Sequence, residues 1–154
     1  MEKERLAILR AEVEAQIKEI ENIYGKLEER RRKRGKAAIE SIAYQMHNLY
    51  CAFEDLFKIV AANFENNIED MAKYHTELLK RMTLTIEGVR PPLLSNEIFA
   101  LLDNLRSFRH FFRHAYSYEM DERKVRIVME DALKLKEIYR KDISIFLDSL
   151  FVKT

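Results

Sequence analysis

Cysteine is nearly absent: Cys51 stands alone in 154 residues, so no internal disulfide can form and no cysteine-rich zinc motif exists. That usage suits the cytoplasm. Long apolar runs are missing as well, none approaching the roughly 18 residues of a membrane span. The opening MEKERLAILRAEVEAQ lacks the unbroken apolar stretch of a signal peptide. The expectation is a protein that is neither exported nor membrane-spanning. Excess charge of either sign is missing too, since 27 Lys+Arg face 26 Asp+Glu; any nucleic-acid site must therefore be a local patch. Three glycines and two prolines leave few places to turn, and β-branched alternation is lacking, which excludes sheet and leaves helix.

What is present is helical spacing. Leu6, Leu9, Val13, Ile17, Ile20, Tyr24 and Leu27 are three and four apart and predict a long first helix over about residues 3–34, ended by Arg34-Gly35. Ile42, Met46, Leu49, Phe53, Phe57 and Val60 predict a second over about 37–64. Asn66 or Asn67 can cap a third that runs to about Met82. Gly88 and Pro91-Pro92 break the chain within TLTIEGVRPPLLS. Ser95 can then cap a fourth helix over about 96–118, and Asp121 a fifth to about Leu150, with Val125, Val128, Leu135, Ile138 and Phe146 on its apolar side. Short connections favour antiparallel neighbours, so the expected fold is all-α, an antiparallel bundle of about five helices forming one domain over residues 1–154.

The fourth helix contains FRHFFRHAYSYEMD (108–121), where two of the four histidines lie among arginines and phenylalanines. At roughly 100° per residue, Leu101, Leu105, Phe108, Phe111, Phe112 and Ala115 gather on one side and Arg106, Arg109, His110, Arg113, His114 and Ser117 on the other. On this reading the polar face is Arg/His with no acid. Arg109 and Arg113 stand at a like-charge i, i+4 spacing, and a phosphate, gripped by guanidinium forks, would offset their repulsion. Imidazole can transfer protons near neutral pH, and arginine can stabilise charge developing on a phosphate. Together they could cleave RNA by letting a 2′-hydroxyl attack its own phosphate.

The octet Arg109-His110-Phe111-Phe112-Arg113-His114-Ala115-Tyr116 resembles the Arg-x4-His-x-Tyr form of the HEPN-domain ribonucleases, in particular the HepT-like toxins. HNLYCAFEDLFKIVAANFE (47–65), YHTELLKRM (74–82) and the Arg90-Pro91-Pro92 turn resemble the same group in the same order. The resemblance covers about residues 44–121. It implies an all-α, HEPN-like toxin whose two protomers bring their motifs together at a homodimer cleft. It further implies a metal-independent ribonuclease with Arg109 and His114 catalytic and His110, Arg113 and Arg106 supporting. Its expected partner is a minimal nucleotidyltransferase antitoxin (MNT) that silences it by transferring AMP to Tyr116. The other reading is a non-catalytic nucleotide- or substrate-binding partner of such a nucleotidyltransferase, in which the basic face only holds a ligand.

Other residues read more plainly. His110 and His114 at i, i+4 could be two ligands of a zinc ion, but no glutamate lies between them and Arg113 would repel a cation, so neither a metal nor another cofactor is expected. His75 and His47 read as structural, Glu54 as a surface carboxylate, and Cys51 as a small core residue. The aromatic residues Phe53, Phe57, Phe64, Phe99, Phe108, Phe111 and Phe112 read as core. EERRRKRGK (28–36) is a basic run at a helix C-terminus, where cations complement the dipole; contact with an RNA backbone is its alternative role.

Overall fold

In the computed structural model, residues 2–64, 73–114 and 120–152 are described. They form an all-α antiparallel bundle of five helices: α1 (Lys3–Arg30), α2 (Lys36–Phe64), α3 (Tyr74–Arg81), α4 (Asn96–Arg113) and α5 (Glu122–Val152). Among the described residues, no helix is long and apolar enough to cross a membrane.

The apolar stripes that set the helices also build one core. Leu6, Leu9, Val13, Ile20, Tyr24 and Leu27 of α1 are buried against α2, whose Ile42, Met46, Leu49, Phe53, Phe57 and Val60 are buried in turn. Helix α2 is the central element and touches all four others. Two tyrosines clamp α1 to α5. Tyr24 donates to the Ala132 carbonyl at 2.8 Å and Tyr139 to Glu21 Oε1 at 2.9 Å, and their stacked rings lie 6.1 Å apart. Burial holds both hydroxyls far above the usual phenolic range. The phenylalanines behave as expected: Phe53, Phe57 and Phe108 are buried, while Phe64, Phe99, Phe111 and Phe112 pack partly buried against the core.

Caps and turns fall where short side chains and glycine allow them. Ser95 Oγ accepts from the Ile98 amide to start α4, and Asp121 Oδ1 accepts from the Arg123 amide to start α5. Asn66 and Asn67 lie outside the described residues. Helix α1 stops at Arg30, short of the expected Arg34, because Arg126 of α5 captures the backbone beyond it. Its guanidinium donates to the carbonyls of Arg31 at 3.0 Å and Lys33 at 3.1 Å, and Gly35, at φ +99°, then redirects the chain. Helix α4 is described through Arg113, and His114 leaves helical geometry at φ −109°, ψ 13°; the rest of the expected stretch to about 118 lies outside the described residues.

The break between α3 and α4 is organised by a buried arginine. Arg90 is 2% exposed and donates at 3.0 Å each to the carbonyls of Leu84, Pro91 and Arg81. Gly88, at φ +75°, closes the tight turn in which Ile86 pairs with Arg90. Arg90→Met keeps the bulk but removes these donors. The Arg81 carbonyl still accepts from the Leu84 amide, so two carbonyls are orphaned; at about 1–3 kcal/mol for each, the variant is expected to lose about 2–6 kcal/mol, read as a lower midpoint of urea unfolding. A midpoint equal to that of the wild type would show that the carbonyls find other donors.

Candidate functional site

The site lies on the seam between α2 and α4. His47, Tyr50, Cys51 and Glu54 are spaced three and four apart, which sets them on one stripe of α2. Helix α4 runs antiparallel along that stripe. His47 meets Phe112, with ring centroids 5.1 Å apart; Cys51 meets Arg109; and Tyr50 lies within the field of Asp103, Arg106 and Arg109.

Arg109 is half-buried. Its Nε donates to Cys51 Sγ at 3.4 Å, a weak bond that nonetheless orients the guanidinium. Among the described residues it has no carboxylate partner. His47 carries the imprint of this charge: its pKa is lowered, first by burial and then by Arg109 and Arg113. Cys51 Sγ lies 3.9 Å from His47 Nε2, so Cys51 is a seam residue beside the motif as well as a packed one. Tyr50, fully buried, has its hydroxyl pushed well above the phenolic range, chiefly by burial and then by Glu54. That hydroxyl has no hydrogen-bond partner among the described residues.

On the outer side, His110, Arg113 and His114 are exposed. The rings of His110 and His114 lie 4.7 Å apart, and His114 caps the helix, its amide donating to the carbonyls of Phe111 and Phe112. Arg113, like Arg109, has no carboxylate partner among the described residues. Tyr116, Ser117 and Tyr118 lie outside the described residues. Among those described, no three His, Cys, Asp or Glu side chains are grouped to hold a metal ion, so His110 and His114 have no third ligand there.

Two expectations need correction. The polar face of α4 is not free of acid: Asp103 stands about 60° from Arg106 at 100° per residue, and its Oδ1 accepts from Arg106 Nε at 2.8 Å. Arg106 is thus neutralised within its own helix, which leaves Arg109 and Arg113 as the motif arginines with no carboxylate partner among the described residues. Glu54 is not a surface carboxylate either. It is 4% exposed, and His75 Nδ1 donates to its Oε2 at 2.7 Å, because a buried carboxylate must find a donor. The pair pins α3 to α2, so His75 has the structural place expected of it. Sequence reasoning missed Tyr50 and Asp103. For Tyr50 the available signal was the 47-50-51-54 spacing, which puts it on one stripe with His47 and Glu54; for Asp103 it was the i, i+3 spacing to Arg106.

The arrangement presents an oriented guanidinium and an exposed second one, neither with a carboxylate partner among the described residues, on the helix that carries two solvent-facing imidazoles, a set suited to an anionic phosphate. No curated protein and no solved structure matches the chain. The family profile described as HepT-like protein matches residues 41–150, from within α2 nearly to the end of α5, and leaves α1 outside. That match spans most of the chain and includes both sides of the seam, and on it the chain belongs to the HepT-like proteins of the HEPN family.

Proposed function

We propose that the chain is a metal-independent endoribonuclease toxin acting through Arg109 and His114. The observation that carries this reading is Arg109, held at its Nε by Cys51 and left without a carboxylate partner among the described residues. An arginine kept unpaired against its like-charged neighbour Arg113 is poised for an external anion. In the mechanism, His114 takes the proton of the 2′-hydroxyl as that oxygen attacks the adjacent phosphorus, and Arg109 stabilises the charge gathering on the phosphoryl oxygens. The bond from phosphorus to the 5′-oxygen breaks and that oxygen takes a proton from water, giving a 2′,3′-cyclic phosphate and a free 5′-hydroxyl. Arg113 and His110 add to the field around the phosphate. HEPN proteins are generally ribonucleases, and the HepT-like family points at its own level to a HEPN-type toxin.

The finer parts of the proposal follow from the same reading. Residues 1–154 work as one cytoplasmic domain, supported by the single core running through all five helices. Two copies pair so that their α4 ends share a cleft, and a nucleotidyltransferase antitoxin silences the toxin by attaching AMP to Tyr116. The direct test is to incubate the purified chain with RNA and map the new termini. Cyclic-phosphate ends are expected, along with no cut where a single 2′-deoxynucleotide replaces the attacking residue; cleavage of that substrate would refute 2′-hydroxyl attack. Because Arg109 supplies the positive charge, the rate is expected to persist in EDTA. Activity lost in EDTA and restored by zinc would reassign that charge to an ion held by His110 and His114.

A further inference from the structure

A second group of arginines gathers where α1 ends and α5 begins. Arg31, Arg32 and Arg34 from the turn after α1, with Arg123, Arg126 and Glu122 from the first turns of α5, line a cleft of ≈ 580 Å³. Two of these arginines shape it. Arg126 bonds Glu122 at 3.2 Å as well as the turn's carbonyls, and Arg31 bonds Glu28 at 3.2 Å. Arg32, Arg34 and Arg123 are exposed and have no carboxylate partner among the described residues.

A helix C-terminus attracts cations, which accounts for the basic run that closes α1. It does not account for Arg123 and Lys124, which stand in the first turn of α5, the positive end of that helix's dipole, where cations are disfavoured. Both helix ends thus turn guanidiniums toward one concavity, where Glu122 engages Arg126 and an anion would offset the remaining charge. Lys124, next to Arg123 in the sequence, sets its Nζ 5.8 Å from the ring centroid of Phe111, which lies in the last turn of α4, the helix that carries Arg109 and Arg113. The arginine cleft and the motif therefore occupy the same end of the bundle.

We propose that this cleft is a second RNA contact, holding backbone phosphates of the strand whose scissile phosphate lies at Arg109; the proposal rests on the ribonuclease reading above. A single strand is flexible enough to meet two sites at one end of the bundle, and arginine forks match its phosphates. A flat membrane would not reach into the cleft, and its place at the same end of the bundle as the motif favours the strand over an acidic protein.

The test is the triple variant Arg32→Ala/Arg34→Ala/Arg123→Ala, which alters exposed side chains only and keeps Arg31 and Arg126. Binding is measured by fluorescence anisotropy against a fully 2′-O-methylated single-stranded RNA, which cannot be cut, over a series of salt concentrations. At about 0.7 per phosphate for single strands, the slope of log affinity against log salt is expected to fall by about 2, with affinity down about tenfold or more. The matching triple lysine variant is expected to recover most of the slope. On cleavable RNA, KM rises and kcat holds, while a dinucleotide too short to reach the cleft is cut as by the wild type. An unchanged slope overturns the proposal, as does an equal loss on the dinucleotide, or a variant that binds RNA normally and loses only an acidic protein partner. Should the wild type bind RNA with this slope yet cut none, the cleft stands and the ribonuclease reading falls; cutting with an unchanged slope gives the reverse.

Discussion

Arg109→Ala is expected to lower the rate of RNA cleavage by about 10²–10³-fold, the range for removing one pre-organised group that stabilises transition-state charge. His114→Ala is expected to cost about 10²–10⁴-fold, as for a positioned general base. Either loss ends growth inhibition when the chain is expressed. The fold should survive both changes. His114 is exposed at the end of α4, and Arg109 gives the seam only a weak bond to a thiol, so helicity and the unfolding midpoint stay close to wild type. Arg109→Lys separates two roles of the residue. It keeps a cation but loses the Nε contact to Cys51 and the planar fork, and it is expected to recover little activity. By contrast, Arg106→Ala is expected to be mild, because Arg106 is already engaged by Asp103 at 2.8 Å. Cleavage near the wild-type rate by Arg109→Ala or His114→Ala would show that the motif is not the catalytic centre.

Attachment of AMP at Tyr116 is expected to silence the enzyme completely without unfolding it. Tyr116 itself lies outside the described residues. Only Ala115 stands between it and His114 in the sequence. A tethered nucleotide reaches the motif from there, and its phosphate can pair with Arg109 or Arg113 in place of the RNA phosphate. Co-expression with a neighbouring nucleotidyltransferase is expected to add the mass of one or more AMP units to the peptide that carries Tyr116, with Tyr118 as the control position. Modification found only on Tyr118 or on a serine would contradict this. So would a Tyr116→Phe chain that the antitoxin still modifies and fully neutralises.

The helices could be read from the sequence because each carries its core stripe in its own spacing, from Leu6 to Leu27 in α1 and from Ile42 to Val60 in α2. Ser95 and Asp121 marked their helix starts for the same local reason. What escaped depends on contacts between distant segments. The end of α1 is set by Arg126, whose bond to the Arg31 carbonyl crosses 95 residues. Glu54 reads as an ordinary carboxylate until His75, 21 residues on, is folded against it. The half of the site on α2, His47 with Tyr50 and Cys51, shows no chemistry until α4 lies across it. Asp103 is different, since its pairing with Arg106 is a local i, i+3 contact that the spacing alone reveals.

The seam also sets a timetable for synthesis on the ribosome. Helices α1 and α2 form a local hairpin that can close as soon as both have emerged, whereas Arg109 follows Cys51 by 58 residues. At about 5–20 residues per second, the arginine is made roughly 3–12 s after the thiol that orients it. No nascent chain shorter than α4 holds both halves of the seam, so a truncated product carries the α2 stripe without the arginine that would grip RNA.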